Sequence, residues 1–188
     1  GTPTRSPINT GMILDGKASI DPRGYPLLYV GSSNVTSGQA PQMRIISLID
    51  GRTLYTKSGA DTDANRKWYA LNFAPLVSAD TDILIWPCAS GILYTLKLNT
   101  RYNKSNGTIS VHPDNIVKLV YNIDTPQTFG LDSDPVIVGN CLYIADRSGL
   151  LMCIDLNLMS IIWVQDIKGR CCFTPTFVWE TNTQGYLY

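Results

Sequence analysis

The run from Ile83 to Asn99 aligns without a gap on Cys141 to Asn157. Leu84 falls on Leu142, Ser90-Gly91 on Ser148-Gly149, Leu96 on Ile154 and Asn99 on Asn157. A chain that repeats itself in this way builds one supersecondary unit several times and stacks the copies, because a single unit cannot bury its own apolar surface.

The unit is clearest between Asp134 and Asp166. Pro135–Val138, Cys141–Ala145, Leu150–Asp155 and Ile161–Gln165 are apolar, β-branched or aromatic, and the gaps between them hold Gly, Asn, Asp or Ser. Strands so close in sequence pair antiparallel, since a parallel return needs a crossover of about a dozen residues. If Asp146-Arg147-Ser148-Gly149 closes the central hairpin, Ala145 faces Leu150, Tyr143 faces Met152 and Cys141 faces Ile154. Leu142, Ile144, Leu151 and Cys153 then occupy the other face, which separates Cys141 from Cys153. Both faces are apolar, so the sheet is expected to be covered on both sides. Helical periodicity is nowhere sustained, so the covers are expected to be further sheets.

Two weaker copies extend the pattern. Leu27–Ser32 and Arg44–Gly51 match the second and third strands, separated by the polar insertion Ser33–Met43. Thr174–Val178 matches the start of the unit, as does Ala74–Val77, and Gly185–Tyr188 supplies a second strand. The Pro-apolar strand, the Leu-Tyr-Val/Ile-Gly/Ala strand, the Ser-Gly turn and the aliphatic strand ending in Asp before a Trp resemble the repeat of pyrroloquinoline-quinone-type β-propellers. Ile154-Asp155 and Trp163 stand at the family's spacing, while Met159 replaces its turn glycine. The resemblance runs roughly from Lys17 to Tyr188 and implies an all-β fold. It further implies a β-propeller of four-stranded antiparallel blades, with about three and a half present as one domain over 1–188. The blades are expected at about 12–57, 73–121, 134–166 and, begun only, 173–188. A two-layer β-sandwich is the competing architecture, and it would leave one face of each sheet wet. Propellers close with about four to eight blades, so the remaining blades are expected from a longer parent chain or from a second copy.

Charge says little about partners beyond exclusion. Fifteen basic and fifteen acidic residues balance to a formal net charge of +0, which gives no electrostatic footprint for nucleic acid. No apolar run is long enough to span a bilayer, so membrane insertion is not expected. His112, the single histidine, has no nucleophile elbow or metal-binding helix pattern around it, and neither catalytic nor metal residues are assigned. Asp61, Asp63 and Asn65 alternate like the start of a calcium loop, but the glycine and closing glutamate are missing.

The expected function is therefore that of a non-catalytic binding or scaffolding module of a secreted or cell-surface protein, with no cofactor. Its ligand is expected to be a protein or a glycan. Long polar loops at Ser33–Met43 and Thr100–Asn115 would shape the contact surface. Asn34, Tyr102, Asn103 and Trp179 are the candidate interaction residues. Asn34, Asn103 and Asn106 also fit the N-glycosylation pattern. The family resemblance carries an alternative, half of a quinone-dependent dehydrogenase. In that case the vicinal pair Cys171 and Cys172 would lie against pyrroloquinoline quinone held with Ca²⁺. Cys88, Cys141 and Cys153 read as structural thiols.

Overall fold

The computed structural model of the chain describes residues 18–31, 42–58, 73–87, 92–114, 117–120, 131, 133–172 and 174–188. These residues form strands and turns. Blade 1 is β1 (Ala18–Ile20), β2 (Leu27–Gly31), β3 (Gln42–Ser47) and β4 (Thr53–Ser58), paired in that order. Blade 2 pairs β5 (Leu76–Ser78), β6 (Ile83–Pro87) and β7 (Ile92–Lys97). A separate hairpin, β8 (Arg101–Asn103) and β9 (Thr108–Ser110), intervenes before its fourth strand, β10 (Val117–Val120). Blade 3 is β11 (Val136–Val138), β12 (Cys141–Ala145), β13 (Leu150–Asp155) and β14 (Ser160–Asp166), and β15 (Phe177–Trp179) with β16 (Gly185–Leu187) begins a fourth. All pairings are antiparallel.

The backbone repeats as the sequence does. In each blade the residue after the third strand donates its N–H to the residue just before the second. The pairs are Leu48 to Pro26 at 2.8 Å, Leu98 to Asp82 at 2.9 Å and Leu156 to Asn140 at 2.9 Å. A bulge interrupts the third-to-fourth pairing at Ile45/Ile46 in blade 1 and at the equivalent Cys153/Ile154 in blade 3. The turn that follows needs a left-handed residue. Blade 1 supplies Gly51 at φ 71°, whereas blade 3 forces Met159 to φ 52°. A side chain there costs about 1 kcal/mol or more, so Met159→Gly is expected to raise the melting temperature by a few degrees. A thermal melt that falls on this substitution would mean that Met159 packs better than its backbone suffers.

The central hairpin of blade 3 corrects the expected register by one residue. Asp146 closes the hairpin one residue beyond the last ladder pair, Ala145 with Leu151: its N–H donates to Leu150 O at 3.0 Å, and Gly149 N–H donates to Asp146 O at 3.2 Å. Its Oδ1 accepts Ser148 N–H at 2.8 Å, Ser148 O–H at 2.6 Å and Leu150 N–H at 3.0 Å. The loop is thus the three residues Arg147-Ser148-Gly149, with Gly149 at φ 92°. Tyr143 pairs with Cys153, Ile144 with Met152 and Leu142 with Ile154. Because strand sides alternate, the slip reassigns whole faces. Leu142, Ile144, Met152 and Ile154 share one side, and Cys141, Tyr143 and Cys153 share the other. The expected separation of the two cysteines is overturned by the same slip.

Two-sided burial holds for blade 2 under the corrected register, whereas in blade 3 the fourth strand, β14, is exposed along its whole length. Leu84, Trp86, Tyr94 and Leu96 of blade 2 form one core with Leu27, Tyr29, Met43 and Ile45 of blade 1. Ile85 and Leu93, on the opposite face of blade 2, form a second core with Leu142, Ile144, Met152 and Ile154 of blade 3. Beyond blade 3, Tyr143 stacks on Phe177 at 6.1 Å and meets Trp163 at 6.0 Å. The first strands are tied along the inner edge: Ser19 O–H donates to Pro75 O at 2.5 Å, and Ala74 N–H to Asp134 Oδ1 at 2.9 Å.

Candidate functional site

The most constructed polar cluster lies where the first turn of blade 1 meets that of blade 2. Asp21-Pro22-Arg23-Gly24 closes as a turn, with Gly24 N–H donating to Asp21 O at 3.3 Å and Gly24 at φ 81°. The turn aims Arg23 across the blade boundary. One guanidinium nitrogen reaches Asp21 at 2.7 Å, another pairs with Asp82, and a third contact runs to Thr100 at 3.4 Å. Tyr29 O–H donates to Asp21 at 2.6 Å, and Thr100 donates to Asp82 from its N–H at 3.0 Å and its O–H at 2.8 Å. The side chains of Asp21 and Arg23 are 0% and 11% exposed.

This burial sets the protonation states. Desolvation disfavours the Arg23 charge, but hydrogen bonds and proximity to Asp21 and Asp82 outweigh it and raise its pKa. For Asp82, burial pushes upward, and the bonds from Arg23 and Thr100 still hold the carboxyl below the ordinary aspartate value. Burial, and then the bond to Asp21, push the Tyr29 hydroxyl up. All three side chains are fixed in one charge state at neutral pH. The arrangement is an anchor rather than acid–base machinery.

The anchor carries a projection. The expected loop from Thr100 to Asn115 is instead the hairpin β8–β9, because Asn103 and Asn106 each fold the chain locally. Asn103 Oδ1 accepts Ser105 N–H at 3.0 Å and O–H at 2.6 Å, and Asn106 Oδ1 accepts Thr108 N–H at 3.1 Å and O–H at 2.7 Å. Its foot is rooted in the blade 1–blade 2 core through Leu98, Ile109 and Val111. Asn99 ties it further, donating to His112 O and Asp114 Oδ2, each at 3.0 Å. Arg23 lies 4.7 Å from the centre of the Tyr25 ring, which meets Tyr102 edge-on at 5.8 Å. The tip from Asn103 to Thr108 is exposed.

Of the expected interaction residues, the structure places Tyr102 half-buried at the hairpin's foot and Asn103 at its exposed tip. Trp179 is 57% exposed in β15, against Phe177 at 4.9 Å. Asn34 lies outside the described residues, as do Cys88 and the alternating Asp61, Asp63 and Asn65. Cys171 is half-buried and Cys172 exposed, in the crossing that leaves blade 3. That crossing is held to the central turn of blade 3 by Ile167 N–H donating to Gly149 O at 2.9 Å. Arg23, Tyr25 and Asp82 were missed. The Asp-Pro-Arg-Gly turn was their only local signal, and the partner of Arg23 lies 59 residues away. Among the described residues no three His, Cys, Asp or Glu side chains converge as a metal set, and no helix is long and apolar enough to cross a membrane.

No protein-family model matches the sequence, and no curated protein matches it. Solved structures do. BamB from Moraxella catarrhalis superposes with a TM-score of 0.54 at 18% identity, covering 86% of this chain and 40% of that one. The chain is a partial β-propeller. The Myceliophteria thermophila Cps50 (Swd1) β-propeller domain gives a TM-score of 0.53 at 10% identity, over 79% of this chain and 40% of that chain. The RRP9 WD40 repeats give 0.52 at 9%, over 78% and 37%. The propeller segment thus spans about two fifths of the length of the structures it matches, and the likeness is one of fold.

Proposed function

We propose that this propeller segment is a binding or scaffolding module of a secreted or cell-surface protein, and that the β8–β9 hairpin presents its contact surface to a protein or glycan. The observation that supports this reading is the hairpin's construction. A drifted insertion would leave its tip on a loose stalk. Here the foot is rooted in an inter-blade core, and the adjoining rim is locked by the Asp21–Arg23–Asp82 network. A rigid, polar, exposed tip loses little entropy when it is bound. Asn103 and Asn106 spend their carbonyl oxygens on the turn, which leaves their amide nitrogens as the groups to donate to a ligand.

The test compares the full-length parent protein with a version in which residues 103–108 are replaced by a two-residue Asn-Gly turn. Protein and glycan arrays probed with both are expected to show partners that the shortened version binds at least tenfold more weakly, with little change in melting temperature. Equal binding by the two proteins would remove the hairpin from the contact surface.

A further inference from the structure

The tip of β8–β9 holds Asn106-Gly107, the only Asn-Gly pair in the sequence. Asn106 Oδ1 accepts the N–H of Thr108 at 3.1 Å and its O–H at 2.7 Å. Gly107 lies at φ 64°, and its N–H donates to no backbone carbonyl among the described residues. Nothing stands within 4 Å of where a Cβ on Gly107 would be, and both residues are exposed. A side-chain carbonyl gripped by two donors, with an unengaged amide nitrogen next along the chain and water alongside, is a reactive arrangement as well as a turn.

We propose that Asn106 is a self-modification site, at which the Gly107 amide nitrogen attacks the Asn106 side-chain carbonyl and the asparagine is converted to aspartate and isoaspartate. The bond from Gly107 N to Asn106 Cγ forms and the Cγ–Nδ2 bond breaks. The Gly107 proton goes to the departing nitrogen, which leaves as ammonia, and one water then opens the cyclic imide. Nothing is oxidised or reduced. The nucleophile belongs to the same chain, so no encounter has to be arranged. In the tetrahedral intermediate negative charge gathers on Oδ1, where the two Thr108 donors already point, as donors do in an oxyanion hole. Asn103 supplies the contrast within the same tip. Its Oδ1 is held alike, by Ser105 N–H at 3.0 Å and O–H at 2.6 Å. The residue that would attack there is Lys104, whose side chain restricts the backbone and crowds an approach that glycine leaves open.

The two products change the tip differently. Opening the imide at the side-chain carbonyl gives aspartate, whose carboxylate still accepts both Thr108 bonds. The turn then survives, while the tip gains a negative charge and loses an amide donor. Opening it at the main-chain carbonyl gives isoaspartate, which inserts a methylene into the backbone before Gly107. That shifts Thr108, whose pairing with Asn103 closes the hairpin. Where the tip is the contact surface, either product weakens a ligand that accepts from the Asn106 amide. That consequence rests on the contact-surface reading, whereas the modification itself does not.

The experiment uses the whole chain, made in a bacterial host so that no glycan occupies either asparagine, and holds it at neutral pH for days. Proteolysis and mass spectrometry read the change from amide to acid at each asparagine, and labelling by an isoaspartyl methyltransferase reads the isoaspartate. Asn106 is expected to convert at least about tenfold faster than Asn103, because glycine alone leaves the attack open. Thr108→Val keeps the side chain's shape and removes the O–H donor. It should slow conversion about threefold, less than in a water-excluded site because this tip is wet. Equal rates at Asn106 and Asn103 would overturn the proposal, and so would a Thr108→Val chain that converts as fast as the parent. Since the readout is mass rather than binding, the contact-surface reading can fail while this site stands.

Discussion

Ile144→Asp is expected to abolish cooperative unfolding of the chain or to leave it insoluble. Ile144 is 0% exposed, in the core that joins blades 2 and 3. A carboxylate placed there meets no partner, so the cost is several kcal/mol, whether expressed as desolvation or as forced protonation. A domain of ordinary stability holds only about 5–15 kcal/mol in total. Ile161→Asp on β14 is the matched control. Ile161 is 51% exposed, and the same change there should stay within about 0.5 kcal/mol. Thermal melts of the two variants check this directly. If both melted like the parent, the face of blade 3 that carries Ile144 would be wet and the two cores would not be continuous sheet-on-sheet interfaces.

Arg23→Leu should be nearly as damaging, for an electrostatic reason. Removing the guanidinium leaves Asp21, with its side chain 0% exposed, and Asp82, at 22%, facing one another without a cation. Breaking a buried pair from one side costs about 3–5 kcal/mol, much of it the penalty on the abandoned charges. Adding Asp82→Asn should recover part of that loss, because the remaining repulsion disappears. The effect has a pH signature. Asp82 is held below its ordinary value, so its share of the stability is present above the unfolded aspartate pKa of about 3.9 and is lost as pH falls through the depressed folded value. The gap between parent and Arg23→Leu should therefore narrow in acid. A gap that stayed constant from pH 7 to pH 3 would mean that the loss came from packing of the arginine stem rather than from its charge.

Local chemistry decided what could be read from the chain. The ungapped match of Ile83–Asn99 to Cys141–Asn157 carries strand order, turn position and two-sided burial together, since one unit must satisfy all three in each copy. Register was not readable, because Asp146 looks like a loop residue by type. It closes the hairpin instead, and it uses its carboxylate to organise Ser148 and Leu150. That single residue moves every face assignment in the hairpin, and with it the relation between Cys141 and Cys153. The β8–β9 hairpin was hidden for a similar reason. Asn, Ser and Gly at its tip are loop formers by composition, and only the paired Asx hydrogen bonds turn them into a tight reversal. The Arg23 network is a long-range contact, so no local pattern in the sequence announces it.

Blade 2 is sandwiched, with one face against blade 1 and the other against blade 3. Nuclear Overhauser contacts in a methyl- and aromatic-labelled chain test it most directly. Contacts are expected from the Leu84 and Leu96 methyls to residues among Tyr29, Met43 and Ile45, and from the Ile85 and Leu93 methyls to residues among Leu142, Ile144 and Ile154. Contacts from only one of these two faces, with the methyls of the other exchanging magnetisation with water, would contradict the propeller and leave a two-layer sheet.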